Sequence, residues 1–501
     1  MSATSLFLRA LGVGFNAFVS RQLGADGMGL FTLIMSVYGL SVTAAAAGVN
    51  LASTRMCAEA IGRNDAGALR ASLKKCFLYA VGCGLAACTL LFFGAEYVAL
   101  EWLGDGRCTR SLRLLALSLP FISASNVLHG YFTAVRKVSK SAATQIFEQL
   151  FKTFVTVIAL LYIVPDGIEY ACMALVGGGA LAETASFAMA LILYLLDRRG
   201  TKSPSLSHND SKKLTRELLG ITIPVAAAAC LRSGLTTIEH ILIPRGLKKN
   251  PLTAETALAA YGVLCGMVMP VIMFPTALLY SFTGLLIPEF AESDAAKDSG
   301  RLNRMISRSL SLTLIFSVGC SALMAIFSNE LGMLIYASPD AGEFIRIMAP
   351  LIPIMYLDHA VDSMLKGLGE QLYCMKINIL DAALCTFLVW FLCPRIGIYG
   401  YIVTLYLAEV MNASLSMYRL YKVCRFEVRV VGWFIKPTLC AAGTTALLRF
   451  LGVAAYCGNW VTFIGGGVLA AAVYMLLLVG TGVLAFHDIG SSEAFRAKRK
   501  T

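Results

Sequence analysis

What most constrains this chain is the recurrence of apolar runs about twenty residues long, each closed by a short polar turn. They lie near residues 5–23, 29–54, 76–100, 111–135, 142–164, 168–196, 218–244, 256–287, 309–328, 343–366, 376–394, 397–421, 431–453 and 460–486. A helix crosses the hydrocarbon of a bilayer with about 20 residues, so the pattern predicts an all-α polytopic membrane protein of about fourteen spans. A β-barrel would show alternating segments of about ten residues. Unbroken stretches such as FVTVIALLYIV belong instead to helices, which satisfy their backbone groups internally. With 57% apolar and only 14% charged residues, an ordinary soluble domain is excluded.

The formal charge of +12 invites a nucleic-acid reading until its placement is followed. An even number of spans puts both termini on one side, and that side carries 29 of the lysines and arginines against 10 on the other. Arg9, Lys152 and Arg232 fall inside spans. The positive-inside rule therefore predicts a multi-pass protein of the cytoplasmic membrane with both termini cytosolic, and no nucleic-acid partner is needed to account for the basic excess. The 15 cysteines are scattered, without a Cys-x-x-Cys pair or metal spacing, and read as small buried apolar residues. The first span lacks a basic lead-in and a small-residue cleavage site, so it is expected to be retained.

The chain repeats itself. At a shift of 233 residues, AEAIGRNDAGALRASLKK faces AESDAAKDSGRLNRMISR, pairing Asp65 and Gly67 with Asp298 and Gly300. Further on, LAE at Leu181–Glu183 recurs at Leu407–Glu409, and LRALGVGFNAFVSR faces LRSGLTTIEHILIPR, pairing Arg9 with Arg232 and Asn16 with Glu239. The expected organisation is a six-helix lobe over 1–200, a cytosolic linker over 201–217, a second six-helix lobe over 218–425, and two extra helices with a basic tail over 426–501. Six spans per lobe make the repeats parallel, an arrangement that places a transport substrate at the repeat interface near the midplane.

The charges within spans carry the functional reading. Arg9, Asn16 and Ser20 share one helix face at 100° per residue, as do Arg232, Thr236 and Glu239. Charges in hydrocarbon are costly and normally face a bundle interior or a watery cavity, although a single arginine can also snorkel or pair locally. Arginine forks suit phosphate oxygens, which predicts a cavity built for an anion. Asp358, Asp362 and Lys366 follow at four-residue steps; Asp362 with Lys366 reads as a local ion pair or as part of a gate or coupling site. Glu148 and Lys152 read as a structural i,i+4 pair, and His129, between Asn126 and Thr133, as a satisfied core histidine. Oxygens of Glu239, Asn378, Asp381 and Thr404 offer a site for sodium or a proton. No P-loop, GxSxG or zinc motif is present, so neither ATP-driven transport nor an enzyme is expected. VGGGAL and IGGGVL read as helix packing.

RALGVGFNAFVSRQLGADGMGLF, YGVLCGMVMPVIMFPTALLYSFTGLLIPEFAE and the two-lobe organisation resemble the stage V sporulation protein B family of polysaccharide-biosynthesis membrane proteins. That family lies within the multidrug/oligosaccharidyl-lipid/polysaccharide (MOP) flippase superfamily. The resemblance covers nearly the whole chain. It implies fourteen helices, two six-helix lobes in a V, alternating access without ATP hydrolysis, and a substrate of the undecaprenyl-pyrophosphate-sugar type, with peptidoglycan-precursor flippases as relatives. In those relatives arginines of the first, second and eighth spans face the cavity, and an acid of the seventh takes part in cation binding in some members. Arg9 and Glu239 match the first and seventh positions and Arg55 lies at the cytosolic end of the second, whereas the eighth span carries no arginine. Arg9, Asn16, Arg55 and Arg232 are thus the headgroup candidates. Glu239, Asp358, Asp362, Asn378, Asp381 and Thr404 are the coupling or gating candidates, with no cofactor beyond a coupling sodium ion or proton. The expected partners are the lipid-linked sugar, membrane lipids and cell-wall synthesis proteins, with the chain acting as a monomer. The competing readings are a drug/cation antiporter of the same superfold and a non-transporting scaffold for cell-wall enzymes.

Overall fold

The computed structural model describes residues 2–63, 65–163, 167–197, 208–249, 256–279, 290, 293, 298–426, 431–453 and 459–483. Of the described residues 92% are helical, and no strand occurs among them. The first half of the chain forms α1 (Ser2–Ala46), α2 (Val49–Gly62), α3 (Ala66–Tyr97), α4 (Cys108–Ala116), α5 (Leu119–Ala134), α6 (Val138–Ile163) and α7 (Ile168–Asp197). Next come α8 (His208–Lys249), α9 (Ala257–Tyr261) and α10 (Met269–Met273), the last two joined by a π-helical turn at Gly262–Val268. The remainder forms α11 (Ser299–Ile326), α12 (Ser328–Leu331), α13 (Pro339–Met348), α14 (Ile352–Gly367), α15 (Gln371–Ile396), α16 (Ile398–Cys424), α17 (Lys436–Phe450) and α18 (Trp460–Gly480). Of the expected linker, residues 201–207 lie outside the described residues and His208 onward belongs to α8. The basic tail from residue 484 also lies outside them.

Among the described residues nine helices are long and apolar enough to cross a membrane, or ten if α4 and α5, bent by 42°, form one span. One of the nine, Ala10–Gly62, is 53 residues long, roughly 80 Å if straight against a hydrocarbon thickness of about 30 Å. It contains residues 10–23 of the first expected span and all of the second, 29–54. The break falls at Gly24, whose φ of 70° and ψ of −175° leave the helical region. A side chain there would meet the Cβ penalty of positive φ. The stretches expected to span near 397–421 and 431–453 form α16 and α17, which stand outside the count of nine.

The repeated Asp-x-Gly acquires a physical reason here. Asp65 is the N-cap of α3, its carboxylate accepting from the backbone N–H of Gly67 and Ala68 at 2.9 and 2.8 Å. Asp298 caps α11 by accepting from Arg301 N–H at 2.9 Å. Each supplies an acceptor to a helix end whose first donors have no intrahelical partner.

The chain divides into two compact units, one of Met1–Gly266 with Ala382–Tyr401 and one of Met267–Asp381 with Ile402–Thr501. This division by contact density is distinct from the repeat-based lobes, which we retain as a proposal about duplication. In the first unit a core of Val49, Met56, Leu73, Val127, Leu128 and Phe132 gathers α2, α3 and α5. In the second, Leu302, Ile306, Leu310, Val361, Leu365 and Leu420 gather α11, α14 and α16. Outward-facing Phe93, Tyr162, Leu476 and Val461 are between 71% and 83% exposed. Apolar exposure on this scale belongs against lipid, not water.

Candidate functional site

In the first unit three charged side chains converge where α6 and α7 pack. Glu148 and Lys152 lie four residues apart on α6, and Glu183 of α7 stands close enough to act electrostatically on both. With Tyr38, Gln149, Phe31, Met35 and neighbouring apolar residues they line a cavity of about 100 Å³. The close approach of the two helices depends on the glycine run VGGGAL. A Cβ on Gly178 would fall 2.2 Å from Thr156 Oγ1, and one on Gly179 would touch the Lys152 stem at 3.9 Å. The i,i+4 ion pair expected between Glu148 and Lys152 is not made. Lys152 Nζ instead stands 5.8 Å from the centre of the Phe15 ring, because its stem is drawn across the glycine face of α7. His129 fulfils the core-histidine expectation, with Nδ1 2.7 Å from Ser141 Oγ and Nε2 3.3 Å from Ser125 Oγ.

A second polar group of this unit surrounds Glu239, which is buried on α8. Glu239 acts electrostatically on Tyr261, Cys265, Cys393 and Tyr401, and its neighbour His240 bonds through Nδ1 to Tyr261 Oη at 2.9 Å. The π-helical turn at Gly262–Val268 adjoins this group, as such turns often adjoin functional sites.

The headgroup candidates all belong to this first unit. The backbone of Arg9 lies in α1, but its side chain is outside the described residues. Asn16 is half-buried, and on the same face Ser20 is buried with a hydroxyl that finds no hydrogen-bond partner. Arg55 is exposed and paired with Glu59 at 3.1 Å. Arg232 is exposed.

In the second unit, α14 presents Asp358 to α16. Asn412 Nδ2 donates to Asp358 Oδ2 at 3.1 Å, and Asp358 Oδ1 is buried with no hydrogen-bond partner. Asp362 forms the expected local pair with Lys366 at 2.5 Å. Asp381 of α15 and Glu409 of α16 complete an acidic group, since Glu409 feels the charges of both Asp358 and Asp381. Asn378 Nδ2 donates to its own helix at Cys374 O, 2.8 Å away, and Thr404 is fully buried. Sequence reasoning did not single out Glu183 or Glu409 as site residues. The available signal was the LAE repeat, which puts the same acid in each half.

Over residues 2–294, more than half of its length, the chain matches the family described as polysaccharide biosynthesis protein. The chain belongs to this family. Residues 250–392 also match the family described as MatE. Stage V sporulation protein B of Bacillus subtilis (strain 168) is 23% identical over 489 residues, covering 95% of this chain and 93% of that protein. Among solved structures, the lipid II flippase MurJ in an inward closed conformation matches with a TM-score of 0.70 at 12% identity, over 95% of this chain and 97% of that one. An inward-facing multidrug resistance MATE family transporter of the MOP superfamily matches with a TM-score of 0.68 at 13% identity, over 85% and 95%. At these identities the structures establish the fold. With the family and the run of long apolar helices, they make this polysaccharide biosynthesis protein a multi-pass membrane protein with the fold of those two structures. The family match contains Glu148, Lys152, Glu183 and Glu239; the MatE match contains Asp358, Asp362, Asn378 and Asp381.

Proposed function

We propose that this chain is a flippase that moves a lipid-linked oligosaccharide of the undecaprenyl-pyrophosphate type, or a peptidoglycan precursor, across the cytoplasmic membrane by alternating access. The work served is cell-wall, polysaccharide or spore-cortex synthesis. The observation that carries this reading is the near full-length relation to stage V sporulation protein B within a polysaccharide biosynthesis family. Arg9, Asn16, Arg55 and Arg232 are proposed to hold the pyrophosphate, whose oxygens match the guanidinium fork. Arg232 is exposed and makes no ion pair among the described residues, so its donors are available; Arg55 has to exchange Glu59 for the headgroup. Glu239, Asp358, Asp362, Asn378, Asp381 and Thr404 are proposed as coupling or gating groups for sodium or a proton. The excess of basic residues on one side supports both termini in the cytosol.

A second reading, a drug/cation antiporter, is favoured by the MatE match at 250–392 and by the acidic group of the second unit. Headgroup translocation in proteoliposomes separates the two. Lipid-linked sugar flux in wild type, lost in Arg9→Ala and Arg232→Ala variants that still fold, supports the flippase. No flux with several lipid-linked sugars, alongside export of a cationic dye, supports the antiporter.

A further inference from the structure

The cluster of Glu148, Lys152 and Glu183 has a charge balance that the proposed function leaves unused. Fully ionised, it carries two negative charges and one positive within a span, where an uncompensated charge is costly. One more positive charge neutralises it, and the choice lies between a proton and a metal ion. Lys152 settles the choice. Its side chain is half-buried along the cavity, and its ammonium makes no hydrogen bond or ion pair among the described residues. A metal ion would have to share a cavity of about 100 Å³ with this like charge and assemble several oxygens around itself. A proton needs neither space nor a coordination shell. The cavity has room for about three waters, enough to deliver one.

Among the described side chains that line the cavity, none adds a rival charge. From α1 the cluster is faced by Phe15 and by Tyr38, whose hydroxyl is already bonded to Ser118 at 2.7 Å. Leu115 of α4 lines the cavity. From α5, His129 is engaged by Ser141, two turns before Glu148 on α6, and does not line the cavity. From α7, wholly buried Ser186 lies beside the Glu148 carboxyl without completing a hydrogen bond. A hydroxyl in that position can bond either protonation state of the acid.

We infer that Glu148, Lys152 and Glu183 form a proton-binding site in which the Lys152 ammonium stands where an exchangeable metal cation would, so that removing it converts the site to one for sodium. The proton comes from cavity water and resides on either carboxyl, leaving the net charge of the cluster at zero. The inference concerns equilibrium binding and stands independently of which substrate the protein moves.

The test is radiolabelled sodium binding to the full-length protein in nanodiscs at constant ionic strength. Lys152→Gln is expected to bind a single sodium ion more than wild type, a gain removed by adding Glu183→Gln; Lys152→Arg, which keeps the charge, is expected to show no gain. Equal binding by wild type and Lys152→Gln overturns the inference, as does wild-type sodium binding that Glu148→Gln abolishes. Should Lys152→Gln fail to fold, infrared spectra of wild type on acidification decide. A carboxylic-acid band reduced in both Glu148→Gln and Glu183→Gln supports the site, and a band unchanged in both overturns it. Because nothing is transported in either measurement, failure here and failure of the flippase assay are distinguishable.

Discussion

Glu183 and Glu409 occupy matching places in the two halves, yet their surroundings have diverged. Glu183 meets Glu148 and Lys152, an acid and an ammonium. Glu409 meets Asp358 and Asp381, with Asn412 as a neutral amide on Asp358. Lys366 of that unit is exposed and held by Asp362 on the same helix. One duplicated acid thus sits in a cluster that carries its own counter-charge, and the other in a cluster of like charges. The comparison teaches that duplication supplies the scaffold position, while neighbouring helices decide what the acid is fit to bind.

The strongest way to break this comparison is to spoil one cluster's packing alone. Gly178→Ala puts a Cβ 2.2 Å from Thr156 Oγ1 and is expected to cost about 1–3 kcal/mol, with Thr156→Ala restoring most of it. A thermal midpoint in detergent that does not fall would show that α6 and α7 separate freely. Next, Glu409→Gln is expected to lower lipid-linked sugar flux about tenfold, or about 1.4 kcal/mol, while Lys152→Arg, which preserves the first cluster's charge, leaves flux nearly unchanged. Equal losses in both variants would mean that the two clusters work alike.

Smaller effects sharpen the parallel between the halves. Asp65→Ala and Asp298→Ala each remove an N-cap and are expected to cost about 1 kcal/mol, similar in the two halves, as read by chemical denaturation; one silent cap would break the equivalence. The smallest effect lies in the turn between α3 and α4. Burial pushes the Asp105 carboxyl up, but hydrogen bonds from the Arg107 side chain and backbone outweigh it and hold the carboxyl below its ordinary range. A depressed carboxyl stabilises the fold above its unfolded value of about 3.9, and the contribution disappears as pH falls through the folded value. Partly exposed as the pair is, the loss is expected to be about 0.5 kcal/mol at most. Asp105→Asn should flatten that part of the acid limb of a thermal-midpoint titration.

Much of the fold was legible because it depends on local rules. The apolar run lengths indicated membrane-spanning helices, the repeated Asp-x-Gly marked two helix starts, and the spacing of Asp362 and Lys366 fixed their pairing. The same rule failed at Glu148 and Lys152, since a lysine's long stem follows the neighbouring helix as readily as its own. Glu183 and Glu409 were visible as a repeat and invisible as site members for a related reason. An acid in an apolar helix announces its cost but not its partner.

By itself, then, the sequence determined that the chain crosses the membrane as helices, because hydrocarbon offers no other partner to backbone N–H and C=O groups. It also determined its caps, which are read from residues near one another in the chain, and it carries an internal repeat, read at a shift of 233 residues. Only the tertiary structure decided which faces meet. In lipid the outer face of a helix is as apolar as its inner one, so hydropathy cannot tell α6 that its partner is α7, and small residues such as Gly178 set that contact through steric fit alone.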